Sequence, residues 1–160
     1  MIRLCIVCAM AGAHNGGMTR SMAEELEALA EDFDFLEDWE DRYRHVLDLG
    51  KALPPLMEAE RAAANKVTGC ASQVWLVSEP GPAGTLAFRG DSDAHIVRGL
   101  IAILLKLYSG RRPDEILGFD ARAATARLGL NEALSSQRAN GLGSMIERIR
   151  REAAQARLTA

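Results

Sequence analysis

The sequence is poor in several features that mark whole classes of protein. Only three of its 160 residues are cysteine, an odd number with two near the N-terminus, which does not indicate a disulfide framework. Aromatic residues make up 5%, too few for an obvious base-stacking platform, and 19 basic against 22 acidic residues leave no basic excess for nucleic acid. No apolar run approaches the roughly 18–20 residues that span a bilayer. We therefore expect neither a nucleic-acid-binding protein nor a membrane protein.

The remaining composition is that of an ordinary folded domain. Hydrophobic residues make up 48% of the chain and charged residues 26%. The length is typical of one domain and is sufficient to bury a core without disulfides or metals. We expect a single globular domain with reduced cysteines, which suits a cytoplasmic location.

The beginning of the chain differs from the rest, since its first 23 residues contain no acidic side chain. We interpret residues 1–32 as a flexible N-terminal extension and residues 33–158 as the domain. Met18 and Met22 are alternative starting points for translation within this extension. A different interpretation is a secretory signal, because a basic Arg3 precedes a short apolar run and an Ala-x-Ala pattern, although the segment is shorter than usual.

Cys5 and Cys8 have the Cys-x-x-Cys spacing of a redox pair or of one half of a zinc site. No second pair of ligands follows at a suitable spacing, so this chemistry is weakly indicated. Cys70 is then the single thiol in the body of the chain.

Hydrophobic periodicity and turn residues predict an α+β domain in which helices pack on one face of a small antiparallel sheet. Asp34 and the glutamate three residues later resemble a capping box, and residues 79–84 form a turn that joins two strands into a hairpin. Gly90 ends the second strand, and Ser92 or Asp93 caps the most apolar helix. The predicted helices span residues 34–50, 93–109, 113–117, 121–128 and 138–156, and the strands span residues 72–78 and 85–89.

Cys70 lies where a polar loop meets the first predicted strand. Gly69 before it permits backbone geometry that a side chain would forbid, and the two residues after it are small. A nucleophilic or sulfur-carrying cysteine needs such a place, on a loop that a rigid strand positions. Lys66 and Arg89 would favour the thiolate if the fold brings them close. The alternative is a buried cysteine that serves only as a small hydrophobic residue.

Other catalytic or metal sites have weaker support. None of the histidines, His14, His45 and His95, stands in a recognisable peptidase signature with the cysteine. Residues 90–93, Gly-Asp-Ser-Asp, resemble a calcium loop but lack its glycine at the sixth place and its closing glutamate, so a turn with a helix cap is the simpler interpretation. Residues 138–141 are interpreted as a polar helix start. Since no phosphate-binding glycine loop occurs, we expect no metal and no nucleotide cofactor.

Several segments around and beyond Cys70 match, in order, the motifs of one known family. Residues 65–75, Asn-Lys-Val-Thr-Gly-Cys-Ala-Ser-Gln-Val-Trp, contain a Gly-Cys-x-Ser-x-Val-Trp core. On these motifs the chain resembles the SufE family of cysteine-desulfuration proteins, and the resemblance covers residues 34–156. The further matching segments are residues 90–94, 96–101, 119–120 and 136–142, together with the first predicted helix.

The resemblance implies an α+β fold like that of SufE and of the iron–sulfur scaffold proteins. It implies that Cys70 accepts persulfide sulfur from a SufS-like cysteine desulfurase, stimulates that enzyme, and passes the sulfur to a SufBCD-like scaffold complex. The pyridoxal phosphate belongs to the desulfurase, so no cofactor is expected in this chain. The protein is then a sulfur carrier rather than a stand-alone enzyme.

The resemblance also implies that residues near the acceptor thiol bind the partner or support the loop. A polar rim of this kind suits recognition of a partner's active-site mouth. We expect the resting thiol to be shielded on its Trp75 side and released when the partner docks. The implied residues are Asn65, Lys66, Gly69, Ser72, Gln73, Trp75, Asp91, Asp93, Arg138 and Gly141.

Three alternatives remain at this point. A CsdE-like acceptor would serve a different desulfurase, and the motifs do not separate it from SufE itself. A non-catalytic module would bind a desulfurase without using Cys70. An iron–sulfur scaffold is disfavoured, because the body of the chain has one cysteine where about three cluster ligands are needed.

Overall fold

Seven helices and a two-stranded antiparallel sheet make up residues 19–160, the part of the chain that the structure, a computed structural model, describes. The interpretations of Cys5, Cys8 and Met18 lie outside these residues. The helices are α1 (Met22–Asp34), α2 (Trp39–Lys51), α3 (His95–Tyr108), α4 (Pro113–Gly118), α5 (Ala121–Arg127), α6 (Leu130–Ala133) and α7 (Ser136–Thr159), and strands β1 (Val74–Pro80) and β2 (Leu86–Ser92) lie between α2 and α3. This arrangement confirms the predicted α+β class.

The sheet is a hairpin whose two strands pair along their whole length. Val74 pairs with Ser92 at one end, and Pro80 pairs with Leu86 at the other. A short 3-10 turn at Pro82–Gly84 connects the strands, within the predicted turn region. The hairpin is therefore confirmed, but its strands begin and end one to three residues later than predicted.

Gly90 lies inside β2, so the prediction that it ends the strand is wrong. A β-carbon at this position would lie 2.8 Å from a methyl of Ile101 in α3 and 2.9 Å from a methyl of Leu76 in β1. The glycine thus lets α3 pack closely on this face of the sheet. The predicted turn over residues 90–93 is replaced by the last three residues of β2 and a short connection to α3.

The most apolar helix, α3, forms the centre of the core, as its hydrophobic stripe predicts. It crosses α2 closely because two glycines meet there: a β-carbon on Gly99 would lie 2.1 Å from the carbonyl oxygen of Val46, and one on Gly50 would lie 2.6 Å from the Gly99 nitrogen. The buried residues of α3 are Ile96, Val97, Gly99, Leu100, Ile101, Ala102, Ile103, Leu104, Leu107 and Tyr108.

The folded domain begins earlier than residue 33. Residues 22–32, which we interpreted as part of a flexible extension, lie in α1, and Met22, Leu29 and Phe33 are buried in the core. Ser21 caps α1 through a reciprocal capping box with Glu24. The apolar face of α1 and its cap thus place the start of the domain near residue 21.

The helix predicted over residues 34–50 is α2, which begins five residues later than expected, at Trp39. Asp34 is the last residue of α1 rather than an N-cap, and α2 begins after Asp38, whose side chain accepts a hydrogen bond from the Glu40 N–H at 3.1 Å. Of the apolar side chains that suggested one helix from residue 36, Leu36 lies in the connection between α1 and α2, and the others lie in α2. Phe35, in that connection, is 91% exposed.

The C-terminal half agrees with the sequence pattern. The two short helices α4 and α5 lie where they were predicted, and α7 buries the expected Leu142, Met145, Ile146 and Ile149. α7 begins two residues earlier and ends three residues later than the predicted helix over residues 138–156. Among residues 19–160, no helix combines the length and the hydrophobicity that crossing a membrane requires.

Candidate functional site

Cys70 is the single cysteine of residues 19–160 and lies on a short loop just before β1. Gly69 before it has a φ of +88°, a left-handed conformation that favours glycine. A β-carbon on Gly69 would also lie 2.6 Å from Oγ of Ser144 in α7. Backbone conformation and close packing on α7 therefore both select glycine at this position.

The Cys70 loop, defined here as residues 68–72, is fixed at its two ends. At the first end the Val67 N–H donates to the Val74 carbonyl at 2.8 Å. At the second end the Gln73 N–H donates to Oδ1 of Asp93 at 3.0 Å. Thr68 and Gly69 form a turn, but within the described part of the chain the backbone of the loop forms no hydrogen bond of ordinary length and angle. The loop can therefore move between its fixed ends without breaking the sheet.

The thiol of Cys70 packs against the start of α7. Its Sγ donates to the carbonyl oxygen of Gly141 at 3.6 Å, a weak hydrogen bond. The recess beside the sulfur has a volume of about 20 Å³, room for roughly one water molecule. Its lining residues are Cys70, Ala71, Ser72, Val97, Leu100, Gln137, Arg138, Gly141 and Met145.

Burial raises the pKa of the Cys70 thiol above its ordinary value of 9.0. The positive charge that we expected from Arg89 is directed elsewhere, because that side chain pairs with Glu60 and Glu79. The resting thiol is therefore protonated at neutral pH and is a poor nucleophile in this position. Reaction at this sulfur requires that the thiol be uncovered or that its surroundings change.

The segment that leads into the loop is attached to α7 through Arg148. The guanidinium donates to the carbonyl of Ala64 at 3.0 Å and to that of Lys66 at 3.4 Å. Asn65 supports the same segment, since its side-chain amide donates to the Glu60 carbonyl at 2.8 Å. These contacts hold the approach to Cys70 while the loop itself stays without backbone hydrogen bonds of ordinary length and angle.

Asp91 lies fully buried at the end of β2. Its carboxylate accepts hydrogen bonds from Arg61 at 2.7 Å, from the Ser92 N–H at 2.8 Å and from the Leu56 N–H at 3.2 Å, and it pairs with Arg98. Burial alone would raise the pKa of Asp91, but these hydrogen bonds and the charge of Arg98 hold it below its ordinary range. The ionised side chain joins β2, α3 and the segment that precedes the loop.

The Cys70 loop and the elements that carry it match a known family model. Residues 27–153 match the model described as SufE, Fe-S metabolism associated domain. The chain belongs to the SufE family. The matched residues include the second half of α1, which agrees with the earlier start of the folded domain.

Relatives support this assignment to SufE, and a solved structure shares the fold. Uncharacterized SufE-like proteins of Rhizobium etli and Rhizobium meliloti are each 56% identical to the chain over 137 and 131 residues, and these matches cover 84% and 80% of it and 93% and 94% of the relatives. The solution structure of a hypothetical protein from Thermus thermophilus has the same fold, with a TM-score of 0.69 over 85% of this chain and 97% of that one, at 20% identity. The resemblance to SufE seen in the motifs is confirmed.

Four of the residues that the SufE resemblance implied lie at the thiol. Ser72, Arg138 and Gly141 line the recess with Cys70, and Gly69 precedes it in the loop. Arg138 and Gly141 are far from Cys70 in sequence, and the position of α7 brings them to it. Their proximity fits the implied site, while their role in binding a partner stays a prediction.

The other implied residues surround the loop at a greater distance. Gln73 and Asp93 fix its second end, and Asn65 and Lys66 lie in the segment before it. Trp75 does not line the recess; its ring lies beneath Arg61, whose Cζ is 5.8 Å from the ring centroid. The thiol is thus shielded by α7 at Gly141 rather than on its Trp75 side, because side chains of β1 alternate and Trp75 faces away.

Two supporting residues escaped the sequence analysis. Ser144 meets Gly69, and Arg148 bonds the carbonyls before the loop, yet both lie in a helix whose pattern shows only which face is buried. No local signal distinguishes them from ordinary polar helix residues. The recess contains no histidine, and residues 19–160 contain no group of three or more His, Cys, Asp or Glu side chains that could hold a metal ion.

Proposed function

We propose that this SufE protein is a sulfur acceptor that takes persulfide sulfur from a pyridoxal-phosphate-dependent, SufS-like cysteine desulfurase onto Cys70. It stimulates the desulfurase by relieving it of its sulfur, and it passes that sulfur to a SufBCD-like scaffold complex in the cytoplasm. The observation that carries the proposal is the position of Cys70, the family's motif cysteine, on a loop fixed only at its ends. The pyridoxal phosphate stays with the desulfurase.

The transfer is an exchange between a thiol and a persulfide. The Cys70 thiolate attacks the terminal sulfur of the desulfurase persulfide, a new S–S bond forms at Cys70, and the old S–S bond breaks. The desulfurase cysteine leaves as a thiolate, and the proton lost by Cys70 passes to solvent or to that thiolate. The rate depends on the thiolate fraction, on the leaving group and on access to the sulfur.

Movement of the loop is the step that supplies this access. In the resting protein the thiol is half-buried and burial raises its pKa, so docking of the desulfurase has to displace residues 68–72 from Gly141. We expect hydrogen exchange of residues 65–72 to increase when desulfurase is added. Identical exchange with and without the desulfurase would contradict a docking-induced movement.

Radiolabelled cysteine and a candidate desulfurase test the proposal directly. Cys70→Ser should keep the fold and receive no labelled sulfur. A Cys5→Ser, Cys8→Ser double variant is the matched control, because it removes the other two thiols and should be labelled as the wild type is. A Cys70→Ser protein that still accepts sulfur from the desulfurase would refute the assignment of Cys70.

Two alternative functions give different results in the same assay. A CsdE-like acceptor would be labelled at Cys70, but by a desulfurase other than the SufS-like enzyme. A non-catalytic module would bind the desulfurase, and alkylation of Cys70 would leave its turnover unchanged. The half-buried position of the thiol against α7 is the observation that favours testing the non-catalytic module.

A further inference from the structure

An open groove of about 670 Å³ runs alongside the Cys70 loop, between residues 63–68 and α7. We call it the α7 groove. At one end it reaches the loop itself, where Thr68 lines it and where Ser144 of its wall meets Gly69. A segment of a partner lying in this groove would therefore touch the loop at Thr68, two residues before the thiol. The charged residues of the lining are Lys66, Glu147, Arg148 and Arg151.

The positive charges in the α7 groove are of two kinds. Arg148 is compensated, because it pairs with Glu152 at 2.7 Å and bonds two backbone carbonyls. Lys66 and Arg151 are exposed and form no ion pair with any carboxylate of residues 19–160. The first 18 residues contain no acidic side chain that could pair with them.

The positive charge of Lys66 and Arg151 does not stabilise the thiolate of Cys70 in the resting protein. Burial is the cause that raises the pKa of Cys70, and no neighbouring cation offsets it. The positive charge of the groove is also not a consequence of the overall charge, because the chain carries a net charge of -3. The cations Lys66, Arg148 and Arg151 outnumber the one carboxylate of the groove lining, Glu147, and Arg138 adds a further cation at the recess beside the thiol. The unpaired Lys66 and Arg151 are therefore available to an acidic surface from outside.

We propose that the α7 groove receives an acidic segment of the cysteine desulfurase that loads Cys70, and that Lys66 and Arg151 pair with carboxylates of that segment. The proposal rests on the sulfur-acceptor function above. The loading enzyme is the partner that meets the resting, unloaded loop, and the groove exists in that resting arrangement. Pairing there would steer the desulfurase to the loop and orient it before the loop moves.

Docking of the desulfurase can be measured apart from sulfur transfer if the acceptor thiol is removed. The test therefore uses the full chain with Cys70→Ser. The groove variant adds Lys66→Glu and Arg151→Glu. The matched control adds Lys106→Glu and Arg112→Glu, two exposed cations near the C-terminal end of α3, and changes the net charge equally.

Calorimetric titration with the desulfurase at several salt concentrations should give a Kd about tenfold higher or more for the groove variant, with a weaker salt dependence. The control should bind nearly as the parent does.

Equal affinity of the groove variant and the parent would overturn the proposal, and so would equal weakening by the control. Arg151→Glu alone, at an exposed position of α7, provides a second variant that does not touch the segment before the loop. It should raise Kd in the same direction by a smaller factor.

Chemical loading separates this proposal from the function on which it rests. With Cys70 intact, the groove variant should take sulfur from inorganic polysulfide at the wild-type rate, because that donor does not use the groove. Loss of polysulfide loading would show damage to the thiol site and would contradict the proposal. A wild-type protein that binds the desulfurase through the groove but is never labelled at Cys70 would instead refute the sulfur-acceptor function alone.

Discussion

The carbonyl oxygen of Gly141 lies 3.6 Å from Sγ of Cys70, although the two residues are 71 positions apart in the chain. The contact joins the loop before β1 to the first turns of α7. A glycine in α7 brings the helix backbone up to the sulfur with no side chain between them. The exposure of the thiol is therefore controlled by how closely α7 packs on the loop.

Gly141→Ala should stabilise the protein and cover the thiol further. The added β-carbon would lie 3.6 Å from Sγ and 3.8 Å from the other two nearest Cys70 atoms, which are ordinary contacts. Replacing a glycine inside a helix by alanine contributes roughly 0.5–1 kcal/mol. We expect a higher Tm and slower alkylation of Cys70 by iodoacetamide.

Gly141→Val is the contrasting variant. Its branched side chain needs more space than the recess of about 20 Å³ offers, so it should displace the Cys70 loop. We expect a lower Tm and faster alkylation than in the wild type. A valine variant that reacts as slowly as the alanine variant would show that packing on Gly141 does not govern access to the thiol.

The pH dependence of Cys70 alkylation should differ between the folded and the unfolded protein. Burial raises the pKa of the thiol above 9.0, so at pH 7–9 the folded protein contains less thiolate than the urea-unfolded chain. The contribution of this burial to stability is complete below the unfolded pKa and is lost as the pH rises through the higher folded pKa. With Cys5 and Cys8 replaced by serine, iodoacetamide rates in the two states should converge only at alkaline pH. Equal rates at pH 7.5 would contradict a shielded thiol.

The elements that the sequence predicted correctly are those whose periodicity is strong. The apolar stripe of α3 and the buried face of α7 follow from local spacing, and the family motif located Cys70. The first helix was missed because six of the 13 residues of α1 are acidic and because it follows a segment of unusual composition. Its apolar residues Met22, Leu26, Leu29 and Phe33 nevertheless follow helical spacing, so the signal was present in the sequence.

The remaining errors come from contacts between residues distant in sequence. Gly90 looked like a turn residue, but it lies inside β2, where Ile101 and Leu76 leave no room for a side chain. Asp91 looked like part of a turn at the site, but a buried network holds it instead. Arg148 reaches backbone carbonyls 82 and 84 residues away, which no local pattern specifies.

Asp91→Ala should be strongly destabilising. It leaves Arg98, whose side chain is 19% exposed, without its partner, and it removes the acceptor of two backbone N–H groups. Breaking one side of a buried pair costs about 3–5 kcal/mol, measurable by urea unfolding. Asp114→Ala is the control, since its pair with Arg157 is largely exposed and should contribute less than about 1 kcal/mol. A similar loss in both variants would contradict a special role of the Asp91 network.

Protonation of Asp91 should weaken the same network. Because its pKa is lowered in the folded protein, the stabilisation is complete above the unfolded value of about 3.9 and is lost as the pH falls through the lower folded value. Urea unfolding followed from about pH 5 down to about pH 2 should show stability falling as the pH falls. Asp91→Asn should show less pH dependence than the wild type over that range, and an unchanged dependence would contradict the assignment.

Arg148→Ala should loosen the approach to the Cys70 loop. Without the guanidinium, the carbonyls of Ala64 and Lys66 lose their bonds to α7, so residues 63–67 should open more often. Hydrogen exchange of the amides in this segment should become faster, while that of the β1–β2 pairing stays unchanged. Arg150→Ala is the matched control, because Arg150 also extends from α7 to backbone carbonyls, but to those at the end of α4. Two results would contradict this role of Arg148: faster exchange of residues 63–67 in the Arg150 variant, or an unchanged rate in the Arg148 variant. Either would show that the attachment of this segment depends on α7 as a whole rather than on the one side chain.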